Sequence, residues 1–257
     1  MDLQLKGKVG IVTGASRGIG RAIAQTLSSE GMRLVLVARS NDQLEDLSAS
    51  LSTDSFVHSI DLRVPEAPAS VVAAAMERYG QLDLLVNNAG ATKRCDFFSL
   101  SDNDWSDGFA LKFYGAMRCS RAAWPYLQAS RGSIVNIAGI GGRTGSAEFT
   151  IGGAVNSALL NLTKALADRG VIDGVRVNAI NPGSIVTERL QQRLRTLASE
   201  KGIEEPEAAR ELARVSRVAR FGDPSEIARA VAFLASPQAD YCQGALLDID
   251  GGQTRTL

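Results

Sequence analysis

The sequence has little of what metal sites, disulfide frameworks or nucleic-acid-binding surfaces require. Its 257 residues include one histidine and three cysteines, and Cys95, Cys119 and Cys242 lie far apart. Three separated cysteines form neither a metal-binding pattern nor a disulfide framework. We therefore expect small core thiols in a reducing compartment and no bound metal. Basic and acidic residues number 28 each, and this balance argues against a surface for nucleic acid or an anionic membrane.

Long apolar runs are also missing. No window reaches the length of a membrane-spanning helix, and residues 1–6 contain no apolar core of a signal peptide. We therefore expect a soluble, cytoplasmic globular protein without membrane or nucleic-acid partners. A length of 257 residues is at the upper end for one domain and is ample for a large core.

Short apolar runs typical of buried parallel strands alternate with helical patterns along the whole chain. This alternation predicts an α/β fold, a single doubly wound parallel sheet of about seven strands with helices on both faces. No linker, repeat or low-complexity segment divides residues 1–257, so one domain is expected. Strands are predicted at 9–12, 33–38, 55–60, 82–86, 133–138, 175–180 and 245–249. Helices are predicted at about 21–27, 41–51, 65–79, 102–127, 153–169 and 223–235, with a charged helical segment at 187–218.

A glycine-rich turn, residues 13–20, connects the first strand to the first helix. This arrangement places a diphosphate against backbone N–H groups at the positive end of a helix. Gly14, Gly18 and Gly20 would permit a sharp turn, close approach of phosphate, and close packing of helix on strand. The turn therefore predicts a nucleotide-binding site.

Four separated motifs make the chain resemble the short-chain dehydrogenase/reductase family over nearly its whole length. They are the glycine turn, residues 87–90 after the fourth strand, residues 181–183 followed by Thr187, and the closing strand within 244–252. The resemblance implies a Rossmann-type fold, a nicotinamide dinucleotide at the carboxyl ends of the strands, and a small-molecule substrate. It also implies a homodimer or homotetramer that pairs the helices near 102–127 and 153–169. The expected cofactor-binding residues are Gly14, Ser16, Arg17, Gly18, Ile19, Gly20, Arg39, Asp61, Leu62, Asn88, Ala89, Gly90, Pro182, Gly183 and Thr187.

The end of the second strand predicts NADP(H) rather than NAD(H) as the cofactor. Members of the family that prefer NAD place a carboxylate there, whereas this chain reads Ala38-Arg39-Ser40. Arg39 and Arg17 would pair with a 2′-phosphate through charge-assisted hydrogen bonds. The alternative is that both arginines are solvated surface residues.

The residues that carry out catalysis in the family are absent. Alignment by the resemblance places Gly139 at the position of the usual serine, Gly152 at the tyrosine, Asn156 at the lysine and Lys112 at the asparagine. In the family the tyrosine passes a proton to the substrate, and a lysine four residues later lowers its pKa. None of the four tyrosines of this chain is followed by a lysine at a spacing of four or seven.

The lysine and asparagine of the family have exchanged places in this chain. We therefore predict that Lys112 reaches the ribose or the substrate and supplies the positive charge that Asn156 lacks. The alternative is coincidence, with Lys112 directed to solvent. Tyr114 should face away from Lys112, because two residues correspond to about 200° around a helix.

The remaining candidates for a proton donor precede Gly152. Ser146, Glu148 and Thr150 lie there, and burial would make Glu148 an acid, whereas in water it would be an ordinary loop carboxylate. The glycines at positions 139 and 152 would leave room for substrate or water in place of the missing hydroxyl groups. His58 lies on the third strand and is expected to be structural.

Three functions remain open at the level of sequence. The first is an NADP(H)-dependent oxidoreductase with an altered proton-transfer set, and the second is a non-redox enzyme on the same scaffold. The third is a catalytically inert dinucleotide-binding protein. The segment 187–220 corresponds to the family's substrate lid and carries seven arginines, which favours either an acidic substrate or a solvated pair of amphipathic helices.

Overall fold

In a computed structural model, which describes residues 1–255, the chain forms one seven-stranded parallel sheet. Its strands are β1 (Val9–Thr13), β2 (Arg33–Ala38), β3 (Ser55–Ser59), β4 (Leu84–Asn87), β5 (Ser133–Ile137), β6 (Arg176–Pro182) and β7 (Leu246–Ile249). The spatial order is β3-β2-β1-β4-β5-β6-β7, and every neighbouring pair is parallel. The predicted Rossmann-type doubly wound fold is confirmed.

Helices cover both faces of the sheet. They are α1 (Gly18–Ser29), α2 (Asn41–Ser50), α3 (Ala67–Tyr79), α4 (Asp102–Phe109), α5 (Ala116–Ser130), α6 (Thr150–Asp173), α7 (Glu188–Lys201), α8 (Glu205–Ser216) and α9 (Pro224–Ala235). None of these helices is both long and apolar enough to cross a lipid bilayer, a statement that applies to residues 1–255.

Strand β2 shows why the sequences of the strands are continuous apolar runs. Leu34 and Leu36 pack into one buried cluster with α1, α2 and α9, whereas Val35 and Val37 pack into a second cluster with α3 and α5. Successive side chains of a strand point to opposite faces. Because both faces are covered, both sets are apolar.

Two boundaries differ from the predicted ones in ways that matter for the site. The helix expected over 102–127 is divided by a π-helical segment, Ala110–Gly115, which lies between α4 and α5 and contains Lys112. Such bulges change which way the following side chains point and occur often at functional sites. The helix expected from residue 153 begins three residues earlier, at Thr150.

The order of the strands places a crevice between the ends of β1 and β4. From β1 the chain winds outward to β3 and then returns to β4 on the other side of β1. Ligands of open α/β sheets bind at the carboxyl ends of the strands where the winding reverses in this way. The glycine turn after β1 and the segment 87–90 after β4 therefore meet at the crevice. His58 lies away from it, on the edge strand β3, with its Nε2 atom 3.2 Å from the Oγ atom of Ser70.

Candidate active site

The turn after β1 is held in place by the segment that follows β4. The Oγ1 atom of Thr13 accepts hydrogen bonds from the backbone N–H groups of Asn88 (2.9 Å) and Ala89 (3.0 Å) and donates one to the carbonyl oxygen of Val86 (3.1 Å). The Nδ2 atom of Asn88 donates to the carbonyl oxygens of Thr13 (3.0 Å) and Gly14 (3.1 Å). The predicted cofactor residue Asn88 therefore uses its side chain to fix the shape of the turn, a role that the sequence did not indicate.

The glycines of this turn adopt backbone angles, and leave space, that residues with a side chain would not allow. Gly14 and Gly18 have φ angles of +65° and +54°, a backbone region that glycine adopts readily. A Cβ atom on Gly20 would lie 2.1 Å from the carbonyl oxygen of Gly14. Helix α1 begins at Gly18 with no side-chain cap and no acidic residue in its first turn. Its free N–H groups suit the diphosphate of a dinucleotide, so the residues present fit this cofactor.

Two exposed arginines lie at the end of β2 and in the glycine turn. The side chains of Arg17 and Arg39 are 66% and 63% exposed. Arg17 pairs with Glu188 of α7 at 3.1 Å, and the guanidinium of Arg39 lies 4.0 Å from the carboxylate of Asp61. The side chain of Leu62 is buried in the core, so only its backbone can face a ligand.

The segment that follows β6 connects the last strand to the glycine turn. A Cβ atom on Gly183 would lie 2.7 Å from the Cα atom of Asp250, so Gly183 allows Pro182 and its neighbours to approach the last strand closely. The methyl group of Thr187 would lie 3.3 Å from a Cβ atom on Gly18. Thr187 therefore lies against the glycine turn, and its contact with the cofactor stays a prediction.

Lys112 points into the crevice. Its Nζ atom donates a 2.6 Å hydrogen bond to the carbonyl oxygen of Ala138, at the end of β5, and its methylene chain lies against Gly90. Burial and the nearby guanidinium of Arg189 lower the pKa of Lys112 from 10.5 to about 7. The alternative direction, toward solvent, is not the one observed. Tyr114 lies on the other side of the helix, 43% exposed, with Arg118 against its ring.

Asn156 lies beside Gly139, next to the carbonyl that holds Lys112. Its Oδ1 atom is buried and has no hydrogen-bond partner among the described residues. Gly139 has a φ angle of +148°, and a Cβ atom there would lie 3.0 Å from the Nδ2 atom of Asn156. The expected space at Gly139 is therefore taken by the carboxamide. An orphaned buried acceptor of this kind suits an N–H or O–H donor of a ligand.

The space expected at Gly152 is also filled, and the prediction of room there is wrong. A Cβ atom on Gly152 would lie 2.0 Å from the Cζ atom of Phe149 and 2.3 Å from two other atoms of its ring. The ring also approaches Gly141, and the guanidinium of Arg94 stacks on it at 4.6 Å from its centroid. An aromatic ring thus occupies the volume from which the family's tyrosine would project.

Of the other predicted proton donors, Glu148 and Ser146 are exposed and Thr150 has a buried Oγ1 atom. The side chain of Glu148 is 71% exposed, and its carboxylate lies 3.8 Å from the guanidinium of Arg94. The burial that would make Glu148 an acid is therefore absent, because the turn that contains it lies at the surface. Ser146 is exposed as well, and Thr150 begins α6 with its Oγ1 atom buried and without a partner among the described residues.

A buried polar network below the site was missed by the sequence analysis. The Nδ2 atom of Asn87 donates to Ser120 (3.1 Å) and Asn136 (2.9 Å), and Asn136 donates to Thr163 (2.9 Å). The network ties β4 and β5 to α5, which follows the segment that contains Lys112, and to α6, which contains Asn156. An asparagine in the middle of an otherwise apolar strand was the available signal.

Comparison with known proteins gives three consistent similarities. A family model described as enoyl-(acyl carrier protein) reductase matches residues 14–254. The 3-oxoacyl-(acyl-carrier-protein) reductase FabG of Vibrio cholerae serotype O1 is 34% identical over 251 residues, which cover 97% of this chain and 98% of that protein. The structure of L-sorbose reductase from Gluconobacter frateurii, complexed with NADPH and L-sorbose, has a TM-score of 0.95, 32% identity and full coverage of both chains.

Proposed function

The chain belongs to the short-chain dehydrogenase/reductase family, and we propose that it is an NADP(H)-dependent oxidoreductase. It would interconvert a small carbonyl compound and the corresponding alcohol. The observation that carries the proposal is the inward direction of Lys112, whose Nζ atom lies 2.6 Å from the carbonyl oxygen of Ala138. This ammonium lies at the end of the same strand where the family's serine would be.

The cofactor would be held by the glycine turn, by the N-terminus of α1, and by Thr187. Arg39 and Arg17 would pair with its 2′-phosphate, which supports NADP(H) over NAD(H). When bound, the nicotinamide supplies the hydride chemistry. The protein must then position the substrate and move one proton.

Lys112 is the group suited to move that proton. A pKa of about 7 leaves both its ammonium and its amine populated near neutral pH. The ammonium would donate a proton to the carbonyl oxygen during reduction, and the amine would accept it from the hydroxyl during oxidation. The bond to Ala138 uses one N–H group and fixes the direction of the others. The unpartnered Oδ1 atom of Asn156 would accept a hydrogen bond from the substrate.

The test is turnover followed by nicotinamide absorbance, with NADPH and a panel of ketones and aldehydes, then with NADP⁺ and alcohols. Lys112→Met, which keeps the methylene chain and removes the charge, should reduce kcat by about 10²–10⁴-fold, the usual contribution of a general acid. Lys201→Met is the matched control, because Lys201 pairs with Glu211 at the far end of α7.

Three outcomes would contradict parts of the proposal. Equal rates for Lys112→Met and the native protein would exclude Lys112 as the proton donor. NADPH binding without turnover over the whole panel would indicate an inert dinucleotide-binding protein. Product formed without net change in absorbance would indicate a non-redox enzyme. Association into a homodimer or homotetramer stays a prediction, which light scattering on the purified protein tests.

A further inference from the structure

Two helical arginines face two positions of the loop that follows β4. Arg189 and Arg193 are four residues apart and therefore share one side of α7. The Nη2 atom of Arg189 donates a 3.0 Å hydrogen bond to the carbonyl oxygen of Gly90. Arg94 lies in the same loop, four residues after Gly90. Burial lowers the pKa of Arg94, and the nearby guanidinium of Arg193 lowers it further. The lid and the loop thus meet through positively charged side chains.

The charges of this group are poorly balanced by acids. Among the described residues, Lys112, Arg189 and Arg193 form no salt bridge, and Arg94 has only the exposed carboxylate of Glu148 at 3.8 Å. Two other cations of the same segment are paired: Lys201 with Glu211 and Arg220 with Glu226. Like charges held together without counterions repel, and a bound anion removes that repulsion.

These cations border the position at which the reaction takes place. The guanidinium of Arg94 lies over the ring of Phe149, and the same ring lies against Gly152, which holds the place of the family's tyrosine. The ring of Phe149 therefore links Arg94 to that place. Arg189 contacts Gly90, against which the chain of Lys112 packs. A solvated amphipathic helix would not direct its arginines in this way, so the first alternative from the sequence, an acidic substrate, is favoured.

We infer that the substrate is a carbonyl compound, or its alcohol, that carries a carboxylate or phosphate group, and that Arg94 and Arg193 bind this anion. The inference rests on the proposed function and names its substrate class. Guanidinium groups bind both anions through paired hydrogen bonds, and the stack on Phe149 holds the plane of Arg94 in a fixed orientation. Arg189 lies nearer to Arg17 and the glycine turn, where the diphosphate of the cofactor would add negative charge.

The experiment compares anionic and neutral members of two matched pairs with NADPH. Pyruvate and methyl pyruvate form the carboxylate pair, and dihydroxyacetone phosphate and dihydroxyacetone form the phosphate pair. We expect kcat/KM to be at least about tenfold higher for the anionic member of one pair, and which pair shows this identifies the anion. Added NaCl, from about 0.05 M to about 0.5 M, should reduce the preference, because salt screens exposed charges.

Arg94→Ala and Arg193→Gln should each lower the ratio of anionic to neutral kcat/KM toward one. Arg195→Ala is the matched control: Arg195 is on the same helix, is exposed, and among residues 1–255 bonds only to Gln192. Circular dichroism of each variant separates a loss of preference from a loss of folding. Equal or better turnover of the neutral members, or a preference that survives both substitutions, would overturn the inference.

A binding measurement separates this inference from the proposed function. Calorimetry on the NADP⁺-loaded protein, with the same four compounds as titrants, needs no turnover. Suppose that no compound is reduced, but pyruvate or dihydroxyacetone phosphate binds and the binding requires Arg94 and Arg193. The proposed redox function would then be wrong, and the inferred anion site would be supported. If neither anion binds more tightly than its neutral partner, the anion site fails, whatever the enzyme reduces.

Discussion

The aromatic ring of Phe149 lies where a side chain on Gly152 would begin. The separation between an ideal Cβ atom on Gly152 and the Cζ atom of Phe149 would be 2.0 Å, far below any van der Waals contact. Gly152 itself is fully buried in the first turn of α6. The absence of the family's tyrosine is therefore part of a repacked site, and reintroducing the tyrosine alone would displace the ring.

We predict that Gly152→Ala lowers the free energy of unfolding by about 1–3 kcal/mol, the usual effect of overpacking a buried site. Urea denaturation measures this change. The double substitution Phe149→Ala with Gly152→Ala should be less destabilising than the sum of the two single changes, because removal of the ring gives room for the methyl group. Gly145→Ala is the control, since a Cβ atom there meets no atom of the described residues within 4 Å. Additive effects in the double mutant would contradict the contact.

Replacing Gly139 with the serine that is usual in the family should destabilise the protein. Its φ angle of +148° is strained for any residue with a Cβ atom, and the Nδ2 atom of Asn156 would lie 3.0 Å from that atom. We expect Gly139→Ser and Gly139→Ala to lower the free energy of unfolding by about 1–3 kcal/mol each, because both share the backbone strain. Chemical denaturation of the two variants is the check. A serine variant as stable as the native protein, with raised activity, would show that the position tolerates the usual residue.

The activity of the protein should follow the titration of Lys112. In the proposed reaction, reduction requires the ammonium form of Lys112, which is present below its pKa of about 7 and is lost as the pH rises through that value. We therefore expect kcat/KM for carbonyl reduction to fall above about pH 7, and that for alcohol oxidation to rise over the same range. Lys112→Arg should abolish this inflection, because a guanidinium does not lose its proton there. An inflection that persists in Lys112→Arg would assign the titration to another group.

The sequence predicted the scaffold of the site much better than its interior. The apolar runs and the glycine turn predicted the sheet and the crevice, because both depend on backbone geometry and burial that local pattern records. The resemblance predicted that Lys112 enters the site, but the π-helical segment that contains it, Ala110–Gly115, has no such pattern. The contact of Phe149 with Gly152 depends on a surface turn that packs against Arg94, which is distant in sequence. Neither could be derived from spacing.

The remaining prediction concerns the phosphate of the cofactor. Arg39→Ala and Arg17→Ala should each weaken NADPH binding by about tenfold and leave NADH binding nearly unchanged, because each removes a charge-assisted hydrogen bond that only the 2′-phosphate can accept. Nicotinamide fluorescence titration measures both affinities. Arg78→Ala is the matched control, since Arg78 pairs with Asp54 at the amino end of β3, whereas the crevice lies at the carboxyl ends of the strands. Equal losses for NADPH and NADH would mean that the two arginines support the turn and do not select the phosphate. The effect of Arg17→Ala should be the smaller one, because Arg17 must give up its 3.1 Å pair with Glu188 to reach the ligand.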